Sequence, residues 1–423
     1  MVSTRPAGVR FLCFLGVLCC LLILNSGAFP DNRVVIREDP APGCRFIRIT
    51  DSSRDLAVFI FKADLQHPGI QVRAALAGDI IPGMAPVESI ARSHENENYQ
   101  IAVAVNGGFF INSQPLGLMV IDGRLVKMGG GSSIVFSHDN SPLIDVFSCR
   151  LSMRLPGGEV IPVNGLNTFP RSRNVILYTP AYGRKIRIDS PGRSYILDPM
   201  EKELPASGVV DVRVEKRFDL RRDHEVPEGR WILWFGGSQA HLASRLKPGN
   251  NYRIQVRTTP GEMDIYQAVS GGPRLLRKGK VSVEREAEGQ REGFDIEKHP
   301  RTAVGYSRDR RTLILAVADG RRPGYSLGMD LYGLARLMLE QGAYEAMNLD
   351  GGGSATMVVN GEVANRPSDI TGPRPVAGAL LIGIRRPDRT AAFLYPAVPV
   401  VSRRWLNHGR NPANLAMPAR IWK

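Results

Sequence analysis

Short apolar runs separated by polar turns rich in glycine and proline recur along the whole chain and predict a protein built mainly from strands. Leu56 to Leu65 and Ile70 to Leu76 are two such runs, and His67-Pro68-Gly69 between them suggests a hairpin. Ile101 to Val105 is continuously apolar, as a strand buried on both faces would be, and it stops at Asn106-Gly107-Gly108-Phe109-Phe110. Asp122-Gly123, inside Leu118 to Val126, and Asn360-Gly361, inside Met357 to Val363, supply the positive φ angles that two-residue hairpins need. Ser133 to Phe136 and Leu143 to Phe147 flank a polar turn, and Val209 to Val214, Tyr252 to Thr258, Ile265 to Val269, Arg301 to Tyr306, Leu313 to Ala318 and Ala346 to Leu349 read as further strands. Helical spacing is confined to Pro86 to Ser93 and to Asp330 to Gln341, where Leu331, Leu334, Ala335 and Met338 share a face and Gly342 stops the helix. The expected architecture is α+β: a mixed, strand-rich sheet core with few helices in a single catalytic domain.

Composition agrees with a globular chain of 423 residues, 43% hydrophobic and 23% charged, and excludes disordered and fibrous classes. Arg5 and Arg10, then the apolar run Phe11 to Leu24, then Asn25-Ser26-Gly27-Ala28 fit a secretory signal cleaved after Ala28, with an uncleaved membrane anchor as the alternative. Pro30 to Pro42 reads as extended linker. The expected division is signal 1–28, linker 29–45, catalytic domain 46–386 and a Pro-rich basic tail 387–423.

Three of five cysteines fall within the signal, which leaves Cys44 and Cys149; export would allow them to pair, but spacing leaves both pairing and free thiols open. No Cys/His cluster has zinc-ligand spacing. The formal net charge is +14, or +12 without Arg5 and Arg10, and eight Lys and Arg against Asp388 from Arg385 onward carry +7 of it. Such a tail suits an anionic envelope polymer or a lipid surface, and equally simple solvation; nucleic acid is the poorest partner for an exported chain.

Three apolar strands end on glycine beside a polar residue: Asn106 before Gly107, Ser270 before Gly271, and Asp350 before Gly351-Gly352-Gly353. If these ends converge, the glycines leave backbone amides exposed in a cleft, with Asn106 and Asp350 supplying donors and charge. Taken alone, Asp350 is either a turn carboxylate or a reactive one, and Arg274 and Arg301 are either salt-bridging or phosphate-binding arginines. No phosphate-binding nucleotide loop and no serine-hydrolase elbow occurs.

The motifs Asn106-Gly107-Gly108-Phe109-Phe110, Ser270-Gly271-Gly272-Pro273, Arg301-Thr302-Ala303-Val304-Gly305, Asp319-Gly320-Arg321 and Asn348-Leu349-Asp350-Gly351-Gly352-Gly353-Ser354 together resemble the phosphodiester glycosidase family over about Ala102 to Ile384. That resemblance implies hydrolysis of an α-glycosidic bond between an N-acetylglucosamine-like sugar and phosphate, in envelope or exopolysaccharide material. A phosphate leaves as a stable anion, so charge stabilisation by arginine can replace part of the acid that ordinary glycoside hydrolysis needs.

On this reading Asp350 activates water or stabilises the developing cation, Arg301 and Arg274 hold the phosphodiester, Asn106 orients the substrate and Asp319 is the second carboxylate. Gly107, Gly108, Phe109, Gly271, Gly272, Gly351, Gly352, Gly353, Ser354 and Thr356 line the substrate site. No particular cofactor is implied, and the aspartates leave room for a divalent cation. A non-catalytic exopolysaccharide-binding or polysaccharide-assembly protein is the alternative.

Overall fold

The computed structural model describes residues 33–170, 174–186, 191–218, 224–261 and 264–386. The expected signal 1–28 and tail 387–423 lie outside them.

Two sheets face each other across the largest core. The first has eight strands, and at its centre Arg301–Tyr306 lies between Thr312–Ala318 and Glu345–Asn348, each paired antiparallel with it. Every residue of Arg301–Tyr306 is buried, Arg301 and Thr302 included. One face of this sheet carries the helix Leu331–Glu340, whose Asp330 side chain caps the Gly333 N–H at 2.6 Å, and Gly342 beyond it has φ +93°. The other face, with Val304, Tyr306, Leu315 and Met347, meets a five-stranded sheet in which Tyr99–Asn106 pairs with Met357–Val359 and Gly378–Arg385. The helix Val87–Ser93 covers that second sheet from outside through Val87, Ile90 and Ala91.

A larger antiparallel sheet, formed by residues from Met119 to Ser270, adds its own core around Trp231, Phe235, Val210 and Ile254, and turns Met119, Ile134 and Trp234 into the core shared with the other two sheets. Among the described residues one pairing is parallel, Gly165–Leu166 with Val175–Tyr178. The molecule is thus mixed and strand-dominated, as its pattern predicts.

Two expectations are corrected. Leu56–Asp64 and Ile70–Leu76 do not form a hairpin: the first pairs with Cys44–Asp51 and Thr312–Ala318, the second with Gly378–Arg385 in the other sheet. Leu56–Asp64 is apolar on both faces and takes an interior place between two neighbours, whereas Ile70–Leu76 carries Gln71 and Arg73 on one face and is the edge of the other sheet; the turn at His67 passes the chain from one sheet to the other. Residues 33–38, read as linker, form an edge strand, Arg33–Glu38, against Cys44–Asp51. Cys44 and Cys149 are both buried free thiols in different cores.

Candidate functional site

The three glycine-bearing strand ends do converge. Asp350 donates its N–H to the Gly107 carbonyl at 3.2 Å, Gly271 donates to Ser132 and Gly272 to Asn348, and the Asn348 amide returns a bond to the Gly272 carbonyl at 2.8 Å. Gly108 lies so close to the Ser270 carbonyl that no Cβ would fit. Residues 244 positions apart in the chain are therefore joined directly, since the Asn106 amide also donates to the Asp350 carbonyl at 2.8 Å.

Asn106 sits at the centre of this junction with no solvent exposure. Its amide donates to the Gly107 and Asp350 carbonyls, and its Oδ1 accepts from the Thr302 hydroxyl at 2.8 Å and the Thr356 N–H at 3.2 Å. All its polar capacity is spent on the protein. The expectation that it touches substrate is corrected: it fixes where Asp350 stands.

Asp350 follows the end of Glu345–Asn348 and is partly exposed. Burial raises its carboxyl above the ordinary aspartate range, opposed by the Ser354 hydroxyl, by the Gly351 N–H at 2.9 Å and by the charge of Arg374. The three glycines after it are required by the protein itself. A Cβ at Gly351 would stand 2.6 Å from the Pro300 carbonyl oxygen, Gly352 has φ +61° beneath the Arg321 guanidinium, and Gly353 is pressed against the Arg374–Asp369 pair. Arg374 holds Asp369 through Nε at 2.8 Å and Nη2 at 3.1 Å. The Arg321 guanidinium is exposed and makes no hydrogen bond or ion pair among the described residues. Sequence reasoning singled out neither arginine for a role: Arg321 closes a motif that looks like a turn, and Arg374 lies in a loop without periodicity.

The other two predicted arginines occupy different places. Arg301 is 2% exposed; its Nε donates to the Met329 carbonyl at 3.1 Å and its Nη2 to the carbonyls of Phe294 and Glu297 at 2.8 Å each, beneath the Phe294 ring. Burial brings its pKa down to about 10. It pins the 294–297 loop beside Gly351, where Phe294 meets Phe109 edge to face.

Arg274 points away from it. Arg274 pairs with Met347, which pairs with Val304, whereas Arg301 lies three residues from Val304 and so on the opposite face of the sheet. The two cannot grip one phosphodiester, which corrects that expectation.

Asp319 is corrected as the second carboxylate. It is 2% exposed, and its oxygens accept from Asn365 at 2.8 Å, Tyr325 at 2.8 Å and the Arg366 N–H at 2.9 Å. Burial raises its pKa, with those same donors opposing. It ties residues 320–326 to 365–366 and so sets the loop that carries Arg374.

Gly107, Gly272, Gly353, Ser354 and Thr356 are buried, while Gly108, Phe109, Gly271, Gly351 and Gly352 are partly accessible around Asp350. Among the described residues no group of three or more His, Cys, Asp or Glu side chains could hold a metal ion.

Comparison with known proteins matches residues 210–383 to the phosphodiester glycosidase family. The N-acetylglucosamine-1-phosphodiester alpha-N-acetylglucosaminidases of Mus musculus and Bos taurus are 38% and 36% identical to this chain over 156 residues, 34% of this chain. The matched stretch spans only 30% and 29% of their respective lengths. A hypothetical protein from Synechocystis of known crystal structure has the same fold, with a TM-score of 0.69 at 23% identity over 83% of this chain and 64% of that one. The matched segment contains the motifs of Ser270, Arg301, Asp319 and Asp350, and the fold brings Asn106 to them from outside it. Residues 210–383 of this chain thus resemble the phosphodiester glycosidase family.

Proposed function

We propose that this protein hydrolyses the α-glycosidic bond between an N-acetylglucosamine-like sugar and phosphate in a phosphodiester, acting on exported or envelope polysaccharide. The observation that carries the reading is the pair of arginines, Arg321 and Arg374, set against Gly352 and Gly353 directly after Asp350. Beside the Asp350 carboxylate the Arg321 guanidinium is unpaired among the described residues and Arg374 is held by Asp369, and the two guanidinia suit a substrate that bears an anion beside the bond to be broken.

In this scheme the Asp350 carboxylate accepts a proton from water as the water oxygen bonds to the anomeric carbon. The bond from that carbon to the phosphate oxygen breaks, and the phosphate takes the electron pair and departs as an anion. Arg321 and Arg374 stabilise that charge without transferring a proton. A carboxyl raised by burial is a stronger base than an exposed one, which suits this role. Arg301, Asn106 and Asp319 position the loops.

The test is release of reducing sugar from the methyl phosphodiester of α-N-acetylglucosamine 1-phosphate. Asp350→Asn should lower kcat by about 10²–10⁴-fold, and Arg321→Ala should raise KM. A folded Asp350→Asn protein with the full rate would sink the assignment, and saturable binding without turnover by the unaltered protein would favour the non-catalytic polysaccharide-binding alternative.

A further inference from the structure

Arg274, displaced from the catalytic reading, lines a separate cavity of about 300 Å³ on the other face of the sheet. Tyr306, at the end of the strand that Arg301 begins, lies in the same wall, about 17 Å along that strand from Arg301. Arg277, Lys278, Arg308 and Arg310 complete the basic lining, so five cations face two carboxylates, Asp145 and Glu345, an excess of +3.

Existing pairs do not consume that charge. Arg274 is 3% exposed and gives Nη2 to Asp145 at 2.9 Å and to the Ile144 carbonyl at 3.3 Å, while its Nε has no partner. Arg308 lies over the Tyr344 ring at 5.6 Å, and Arg277 stands 3.7 Å from Glu284 with most of its side chain in solvent. The buried Arg274 spends one nitrogen on Asp145, and the exposed Arg277 and Arg308 of the same lining stay open to an anion.

The cavity also continues. Arg310 borders a second, polar cavity of about 270 Å³ that Gln66, His67, Asp139 and Asn140 line. Gln66, His67 and Asp139 there offer amide, imidazole and carboxylate groups to sugar hydroxyls, while the Asn140 side chain is spent on Val72 and Ile70.

We propose that this groove is a second binding site, separate from Asp350, for a phosphate-bearing saccharide, with the phosphate at Arg274 and the sugar extending past Arg310. An excess of +3 favours a doubly charged phosphate monoester over a single carboxylate.

The test is calorimetric titration of the full chain with glucose 6-phosphate, inorganic phosphate and glucose, repeated on the double variant Arg277→Glu, Arg308→Glu. Both positions are exposed, and neither belongs to the catalytic scheme. Glucose 6-phosphate should bind more tightly than either of its parts, and the double variant should weaken it at least tenfold while leaving the melting temperature and the phosphodiester hydrolysis rate unchanged. Unchanged glucose 6-phosphate affinity in the double variant would overturn the site, and inorganic phosphate binding as tightly as glucose 6-phosphate would overturn the saccharide. Asp350→Asn should leave this binding intact, so the two functional readings fail separately.

Discussion

Asn106→Ala tests whether the junction of strand ends is held by one amide. Truncation leaves the Asp350 carbonyl, the Thr302 hydroxyl and the Thr356 N–H without a partner, while the Gly107 carbonyl keeps the Asp350 N–H. The position has no solvent exposure, so each of the three orphaned groups costs roughly 1–3 kcal/mol, about 3–9 kcal/mol together. That is a large part of a stability of typically about 5–15 kcal/mol. Urea unfolding should show a lower midpoint at unchanged slope. Asn106→Asp keeps the shape but turns two donors toward carbonyls into acceptors; it should cost as much at neutral pH and recover part of the loss in acid, where a protonated carboxyl again donates. In both variants kcat should fall by on the order of 100-fold, because a displacement of about 1 Å at a catalytic group costs that much. A loss below about 1 kcal/mol with normal turnover would show that backbone pairing alone holds the junction.

Other outcomes follow from single groups. Burial raises the Asp350 carboxyl, so its contribution to folding is fullest in acid and is lost as pH rises through the raised value; thermal melts of Asp350→Asn should therefore show a gain over the native chain that grows from pH 4 to pH 7, and an equal gain at both would contradict the burial argument. Gly351→Ala drives a Cβ to 2.6 Å from the Pro300 carbonyl and should cost about 1–3 kcal/mol in denaturant titration. Burial pushes the Cys44 and Cys149 thiols up to about 12 and about 11, so neither should react with a thiol reagent at pH 8 until the protein unfolds, and reductant should not shift the melting temperature.

Much of the fold is legible because strand burial writes itself into local pattern. Ile101 to Val105 reads as a strand buried on both faces and is, and Arg301–Tyr306 reads as a strand and is one. Asp122 and Asn360 read as positive-φ hairpin residues and have φ of +50° and +49°. Pairing partners are another matter, because a strand that is apolar on both faces announces its burial but not its neighbour. Leu56–Asp64 and Ile70–Leu76 look like a hairpin because turn residues join two strand-like runs, and only the competition among all the sheet edges sends them to different sheets. The strand Arg33–Glu38 was illegible for the opposite reason: at a sheet edge it buries little, so a proline-flanked, partly charged run looks like linker.

The site follows the same division. That Asp350 and its glycines meet Asn106 and Ser270 was legible, because the glycine clusters record close backbone approach whatever approaches. What approaches was not, and it proves to be largely protein: Pro300 at Gly351, Arg374 and Asp369 at Gly353, Ser270 at Gly108. Arg274 and Arg301 look equivalent in sequence, each beside an apolar run, and their separation depends on the register of Arg274 with Met347 and of Met347 with Val304. A shift of one residue would exchange the faces. Arg321 stands free because it follows a buried, fully bonded Asp319 by two positions: the carboxylate spends itself on fixing the loop, and the arginine it fixes is left to meet an anion. The proposed site around Asp350 thus depends on residues that carry no reactive role in the scheme.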